Sequence, residues 1–247
     1  MFMPDQETII EVRNLTKKFG DFTANKELSF NVYKGEIFGF LGANGAGKTT
    51  AIRILSGLSE PTSGEASVAG FDVYKQRELI KKNIGYMSQR FSLYDDLTVA
   101  ENMRFYGGIY GMSNKFIKER TAEMLEKLKM KAIRDTLIKD IPLGWKQKLA
   151  FSVAIFHKPS IVFLDEPTGG VDPITRRQFW DLIYEAVDEG ITVFVTTHYM
   201  DEAEYCNRVS IMVDGVIAAL DTPQLLKQTY NVESMNDVFI RLARVES

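Results

Sequence analysis

The 247-residue chain is 45% apolar with a formal net charge of -3 and a pI near 5.6: enough apolar content for a substantial core, and too little gathered positive charge to mark a nucleic-acid surface. One cysteine, Cys206, rules out an internal disulfide framework or a cysteine metal cluster and reads as a small buried apolar residue in a reducing compartment. Nowhere do about eighteen apolar residues run uninterrupted, and residues 1–8 carry Asp5 and Glu7 rather than the basic start of a secretory signal, so a membrane role is expected only through another polypeptide.

Alternation opens the chain. Ile10, Val12 and Leu15 interleave with Glu11, Arg13 and Asn14, and Leu28, Phe30 and Val32 with Ser29 and Asn31, which predicts half-buried strands around a turn at Gly20-Asp21. Residues 37–41 lack alternation, as expected of a parallel strand covered on both faces. The loop Gly42-Ala43-Asn44-Gly45-Ala46-Gly47-Lys48-Thr49-Thr50 follows, then a helical stretch expected to run through Leu58. The loop matches G-x-x-x-x-G-K-[ST] in full, in a strand-loop-helix context. Its glycines allow backbone N–H groups to converge on phosphate oxygens. Lys48 can reach the β- and γ-phosphates, and the Thr49 hydroxyl can ligate magnesium at a helix N-terminus that favours anions. Gly42, Asn44, Gly45, Ala46, Gly47, Lys48, Thr49 and Thr50 are thus candidate nucleotide-binding residues, although the loop alone does not separate a kinase, a GTPase, a helicase and a transport motor.

Ala66-Ser67-Val68, between Gly64 and Gly70, adds a short strand to the antiparallel β structure at the front. From Thr98 the pattern turns helical: Thr98-Val99-Ala100-Glu101 forms a capping box, and residues 115–130 place Met124, Leu125 and Leu128 at helical spacing. Buried strands return at 161–164 and 193–197 with a helix over 174–189 between them, so a helical insertion interrupts an α/β core. Residues 209–213 and 216–219 flank Asp214-Gly215, a hairpin signal, and Thr222-Pro223 opens a closing helix. The expected fold class is α/β: a P-loop NTPase core with a mainly parallel sheet, an N-terminal antiparallel β subdomain and an inserted α-helical subdomain. The expected organisation is a single domain over 1–247, its core formed by 1–89 and 159–225, the helical insertion by 90–158 and a short helical tail by 226–247.

The strand at 161–164 ends in Asp165-Glu166, two carboxylates at the carboxyl edge of a parallel sheet, where ligand sites lie. Asp165 can hold magnesium, and Glu166 is placed to orient and deprotonate an attacking water. Adjacent acids after a strand are often only a solvated strand end; the phosphate loop upstream favours the chemical role. The run Leu164-Asp165-Glu166-Pro167-Thr168, with Gly169-Gly170-Val171-Asp172 behind it, resembles the second nucleotide motif and D-loop of the ATP-binding cassette ATPases. That resemblance implies a switch histidine at His198, in Thr196-Thr197-His198, contacting the γ-phosphate. It implies a Q-loop glutamine at Gln89, in Tyr86-Met87-Ser88-Gln89, sensing magnesium and γ-phosphate, and at Phe19 an aromatic stacked on adenine. Asp172 falls in the D-loop, and Asp172-Pro173 also has the form of an N-cap and first-turn proline. Singly, a histidine at a strand end, a glutamine and a phenylalanine are more often structural; their order and spacing along nearly the whole chain carry the resemblance.

One motif departs from the family. Where its members have Leu-Ser-Gly-Gly-Gln, this chain has Ile141-Pro142-Leu143-Gly144-Trp145, followed by Lys146-Gln147-Lys148. In the family, the serine hydroxyl and the helix N-terminus behind it hold the γ-phosphate bound by the opposite subunit. Pro142 supplies neither hydroxyl nor N–H, and Leu143 brings a side chain where glycine allows close approach. Either a heterodimer uses a better motif on its partner, leaving one degenerate site, or proline pre-organises the helix and the N–H groups from Leu143 onward still hold phosphate. The intact remainder of the site favours the second.

The resemblance implies an ATPase subunit using ATP and Mg2+, homodimeric or heterodimeric head to tail. It implies a place on the cytoplasmic face of the cell membrane through a membrane-spanning permease, coupled by residues 90–102, with no nucleic acid bound. Residues 168–180 and the tail Met235-Asn236-Asp237-Val238-Phe239-Ile240-Arg241-Leu242 resemble the exporter branch that handles drugs, lipids or polysaccharides. The alternative is a soluble ATPase acting on ribosomes or DNA, but such relatives carry paired cassettes, a coiled-coil insertion or a basic arm, none of which is visible here. A scaffold that binds ATP without using it is suggested only by Pro142.

Overall fold

The computed structural model describes residues 7–89 and 93–245; the first residues of the expected coupling segment, 90–92, lie outside them, as do most of the residues read for a signal. The alternating segments at the front pair as expected. β1 (Thr8–Phe19) and β2 (Phe22–Tyr33) run antiparallel with Val12 opposite Phe30 and Leu15 opposite Leu28. β4 (Ser63–Val68) takes the other edge of β1, and β5 (Phe71–Asp72) completes the order β2-β1-β4-β5.

The second sheet has the order β10-β9-β3-β8-β7-β6. It comprises β3 (Ile37–Gly42), β6 (Ile84–Met87), β7 (Ile161–Asp165), β8 (Thr192–Thr197), β9 (Arg208–Val213) and β10 (Val216–Asp221). All pairings are parallel except β9 with β10, which turn at Asp214 and Gly215, both with positive φ. The central strands are apolar on both faces because each face meets a core. Ile37, Leu41, Val162, Leu164, Val193 and Val195 face the helical side; Phe38, Phe40, Ile161, Phe163 and Phe194 face α1 (Lys48–Leu55) and the antiparallel sheet. Phe30 of β2 stacks on Phe38 at 5.6 Å, joining the two sheets, and each such buried ring contributes about 1.5–3 kcal/mol.

α1 stops at Leu55 rather than running through Leu58: Ser56 caps it and Gly57 turns left-handed at φ +75°, leaving Leu58 exposed. α2 (Arg77–Asn83) and the four-residue β6 carry too little periodicity to be read from the chain. α3 (Val99–Ile109) begins with the expected reciprocal Thr98–Glu101 box. With α4 (Asn114–Lys127) and α5 (Leu143–Ala154), it supplies the α-helices of 93–158, where no strand lies among the described residues. α6 (Pro173–Asp188) links β7 to β8. α7 (Pro223–Thr229) starts ahead of the expected tail boundary at 226, and α8 (Met235–Val245) buries Met235, Val238 and Leu242. Cys206 is buried. Among the described residues no helix is long and apolar enough to cross a membrane.

Candidate functional site

The loop from Gly42 to Thr50 leaves β3 and turns into the N-terminus of α1. Gly47 sits at φ +102°, and a Cβ there would lie 2.3 Å from Ala24 O and 2.7 Å from Asn25 Nδ2, so only glycine fits. Asn25 Nδ2 donates to Gly47 O at 3.1 Å, pinning the loop to β2. Ala43, Asn44, Gly45 and Thr49 are exposed at the mouth, while Ala46 and Lys48 are buried and Thr50 is half-buried. Lys48 Nζ donates to Gly42 O at 2.9 Å and Ala43 O at 3.0 Å, and stands 3.4 Å from Glu166 Oε1. Burial pushes the Lys48 ammonium down from its usual range, against the pull of the Glu166 and Asp165 charges.

Asp165 closes β7, and the β7–β8 register sets it opposite Thr196. Its Oδ1 accepts from Thr196 Oγ1 at 2.8 Å and Thr49 Oγ1 at 3.3 Å. Burial raises its pKa, opposed first by the Thr196 hydroxyl. A hydroxyl and a carboxylate meeting in this way are hard oxygen donors suited to Mg2+, which ordinarily takes one or two protein oxygens and completes its shell with phosphate and water. No cluster of three or more His, Cys, Asp or Glu that could hold a metal occurs among the described residues.

Glu166 adopts φ +48°, uncommon for a non-glycine residue. Its N–H, donating to Thr196 O and Oγ1 at 3.1 and 3.0 Å, holds that turn. Its carboxylate gathers three side chains. Gln89 Nε2 donates to Oε2 at 3.1 Å, His198 Nδ1 donates to Oε2 at 3.0 Å, and Lys48 faces Oε1. Lys48, His198, Glu166 and Gln89 follow β3, β8, β7 and β6, four neighbouring strands in sheet order. Gln89, Gln147, Glu166, Gly170, His198 and Tyr199 line a hollow of about 290 Å³. A larger hollow, about 1110 Å³, lies between α3 and α4 and contains none of the candidate site residues.

The remaining candidates lie outside this cluster. Phe19 is 55% exposed at the tip of the β1–β2 hairpin, with Lys17 Nζ 5.0 Å from its ring. Pro142 is the N-cap of α5 without a side-chain cap, and its carbonyl accepts from Trp145 and Lys146 N at 3.0 Å, which leaves the first helical N–H groups, those of Leu143 and Gly144, outside the helical ladder. A Cβ on Gly144 would meet Thr175 Cγ2 at 2.5 Å, so α5 and α6 touch there. Asp172 spends its carboxylate on its own helix, accepting from Ile174 N and Thr175 N at 3.0 Å and from Thr175 Oγ1 at 2.5 Å. Those bonds, the Thr175 hydroxyl first, hold it below the usual carboxylate range.

Two residues went unread in the sequence, Thr196 beneath both acids and Asn25 on Gly47, while Gln147, read only within the run Lys146-Gln147-Lys148 that keeps the family's pattern after Gly144, donates from Nε2 to Gly169 O at 3.2 Å. Thr196 stands beside His198 in the chain, but only strand pairing puts its hydroxyl under Asp165.

The family model described as ABC transporter matches residues 25–169, more than half of the chain. The chain is 48% identical over 241 residues to a protein of Escherichia coli named probable multidrug ABC transporter ATP-binding protein YbhF, covering 96% of this chain but 42% of that relative; it thus spans less than half the relative's length. It is 37% identical over 215 residues to the linearmycin resistance ATP-binding protein LnrL of Bacillus subtilis, covering 87% of this chain and 69% of that protein. Among solved structures, a dimeric post-hydrolysis state of an ATP-binding cassette bound to ADP and Pi superimposes with a TM-score of 0.78 at 26% identity, covering 86% of this chain and 98% of the other.

Proposed function

The chain belongs to the ABC transporter family, and from that premise we propose that it is an ATP-hydrolysing subunit that powers export through a separate membrane-spanning permease. The single observation that carries the proposal is the Glu166 carboxylate held by Lys48, Gln89 and His198 at the ends of four neighbouring strands.

Backbone N–H groups of the loop from Gly42 to Thr50 cradle the phosphates. Phosphate oxygens reaching Lys48 Nζ compete with Glu166 Oε1 for one ammonium, so nucleotide binding frees Glu166 to act as a base. Gln89 and His198 hold its other oxygen in place. A water hydrogen-bonded to Glu166 is then aligned on the γ-phosphoryl group; as its oxygen attacks, the carboxylate takes its proton and the bond from the γ-phosphorus to the β–γ bridging oxygen breaks, so that ADP leaves and phosphate forms. Thr49 and Asp165 would hold Mg2+, which when bound neutralises charge on the β- and γ-phosphate oxygens. Phe19 is exposed for stacking on adenine.

The other half of the site comes from a second ATPase subunit, homologous or identical. Leu143, Trp145 and Ile174 are exposed large hydrophobics at the N-terminal ends of α5 and α6. These ends, with Pro142, Gly144 and Asp172, form the surface a head-to-tail partner would present to ATP. The dimeric cassette that superimposes on this chain supports the arrangement. The names of the multidrug and linearmycin-resistance relatives support export. Residues 93–102, the described part of 90–102, would meet the permease on the cytoplasmic face of the membrane.

Glu166→Gln keeps the shape of the side chain and removes the base. Phosphate release should fall by about 10²-fold or more while affinity for a fluorescent ATP analogue stays within about twofold. Near-normal hydrolysis in this variant would falsify the assignment.

A further inference from the structure

We propose that Glu202 is a positioning residue that couples the loop after Glu166 to the segment after His198, through Thr168 on one side and Arg176 with Tyr199 on the other. The proposal deepens, and rests on, the ATPase reading.

Glu202 lies in the 3-10 turn Met200–Tyr205 and is 0% exposed. Its Oε1 accepts from the buried Thr168 hydroxyl at 2.6 Å, two residues beyond Glu166. Arg176 Nε stands 3.7 Å from the same oxygen. The Arg176 guanidinium lies over the Tyr199 ring at 3.9 Å and reaches Asp201 Oδ2 at 3.3 Å. Tyr199 in turn packs against His198, with ring centroids 4.2 Å apart, and Glu202 N donates to Tyr199 O at 3.2 Å. The contacts close a circuit from Glu166 through Thr168, Glu202, Arg176, Tyr199 and His198 back to Glu166 Oε2.

A pair that served stability alone would gain little from this design, because an apolar replacement of a buried ion pair is often neutral or stabilising. What the pair adds is fixed geometry. The His198–Glu166 hydrogen bond joins two loops that leave different strands, and a displacement of about 1 Å at a reacting centre can cost roughly 10²-fold in rate. Glu202 holds both loops from behind, without touching the reacting atoms.

Replacing Glu202 would take the acceptor from the buried Thr168 hydroxyl and leave Arg176 with Asp201 as its counter-charge, which risks the fold, so the test is Thr168→Val, which removes one hydroxyl and keeps the shape. Steady-state ATPase kinetics are read beside the ring 15N signals of the two histidines, His157 and His198. His157 Nε2 donates to Ile84 O while His198 Nδ1 donates to Glu166, so the two rings differ in which nitrogen is hydrogen-bonded and in its acceptor, and their signals separate in the spectrum. The expected result is a fall in kcat of about tenfold or more with KM for ATP within about twofold, and kcat restored by Thr168→Ser. The His198 signals should move and those of His157 should not. Wild-type kcat in Thr168→Val, a fall without movement of His198, or a loss that Thr168→Ser does not restore each overturns the proposal. A wild-type chain that hydrolyses no ATP overturns the ATPase reading instead, and the His198 signals still decide whether Thr168 reaches that ring.

Discussion

Lys48 and Glu166 form the exchange on which the proposed cycle turns: a buried ammonium between two backbone carbonyls and a carboxylate that phosphate can displace. Lys48→Ala removes a charge-assisted contact of roughly 1.5–3 kcal/mol, so ATP affinity by fluorescence titration should weaken about ten- to hundredfold. Unaltered affinity would remove Lys48 from the phosphate site. His157, which nothing in the sequence singled out, stacks on Tyr110 at 3.6 Å and is pushed by burial down to about 4. The unfolded chain takes up a proton below about pH 6.5 that the folded chain refuses until about pH 4, so stability is full above the unfolded value and is lost as pH falls through that window. His157→Gln can keep a donor toward Ile84 O and does not titrate, so its melting temperature should fall less than that of the wild type between about pH 7 and about pH 5. Equal losses would mean that the ring's environment does not govern this window. The phosphate-loop residues were legible because their chemistry is contiguous; His157 was not, since its burial depends on the α3 end and β6 meeting around it.

At the scale of elements, starts and turns were read from local chemistry. The Thr98 box, the Asp172 and Thr222 caps and the Asp214-Gly215 turn each satisfy backbone groups or dihedrals within four residues. α1 was read three residues too long because Leu58 continues an apolar pattern that Gly57 interrupts in space. β6 was missed because four residues paired on one edge leave almost no signature. The start of α5 bears on catalysis. With Pro142 outside the helix and the N–H groups of Leu143 and Gly144 outside the ladder, the helix end needs no side-chain cap to present donors. Pro142→Ser should therefore leave ATPase turnover within about twofold of the wild type. A large gain would instead show that the natural motif is degenerate.

At the scale of the molecule, the sheet order sets Lys48, His198, Glu166 and Gln89 side by side, and the proposed function has the exposed ends of α5 and α6 complete the site of another subunit. If so, Glu166→Gln with ATP should elute as a dimer in size-exclusion chromatography and return to monomer when ATP is removed; a monomer at saturating ATP would argue against completion in trans. By itself the sequence determined the phosphate loop, the paired acids, the caps and the hairpin turn, because each is a chemistry completed within a few neighbouring residues. It also carried the family resemblance, through the order of its motifs. Only the tertiary structure decided that Gln89 and His198, 77 and 32 residues from Glu166, meet on its carboxylate, that Thr196 supports both acids, and that Glu202 stands behind them. The reason is physical: strands buried on both faces carry the same apolar run wherever they lie in a sheet, so neither their order nor their register is written in the pattern of any one of them.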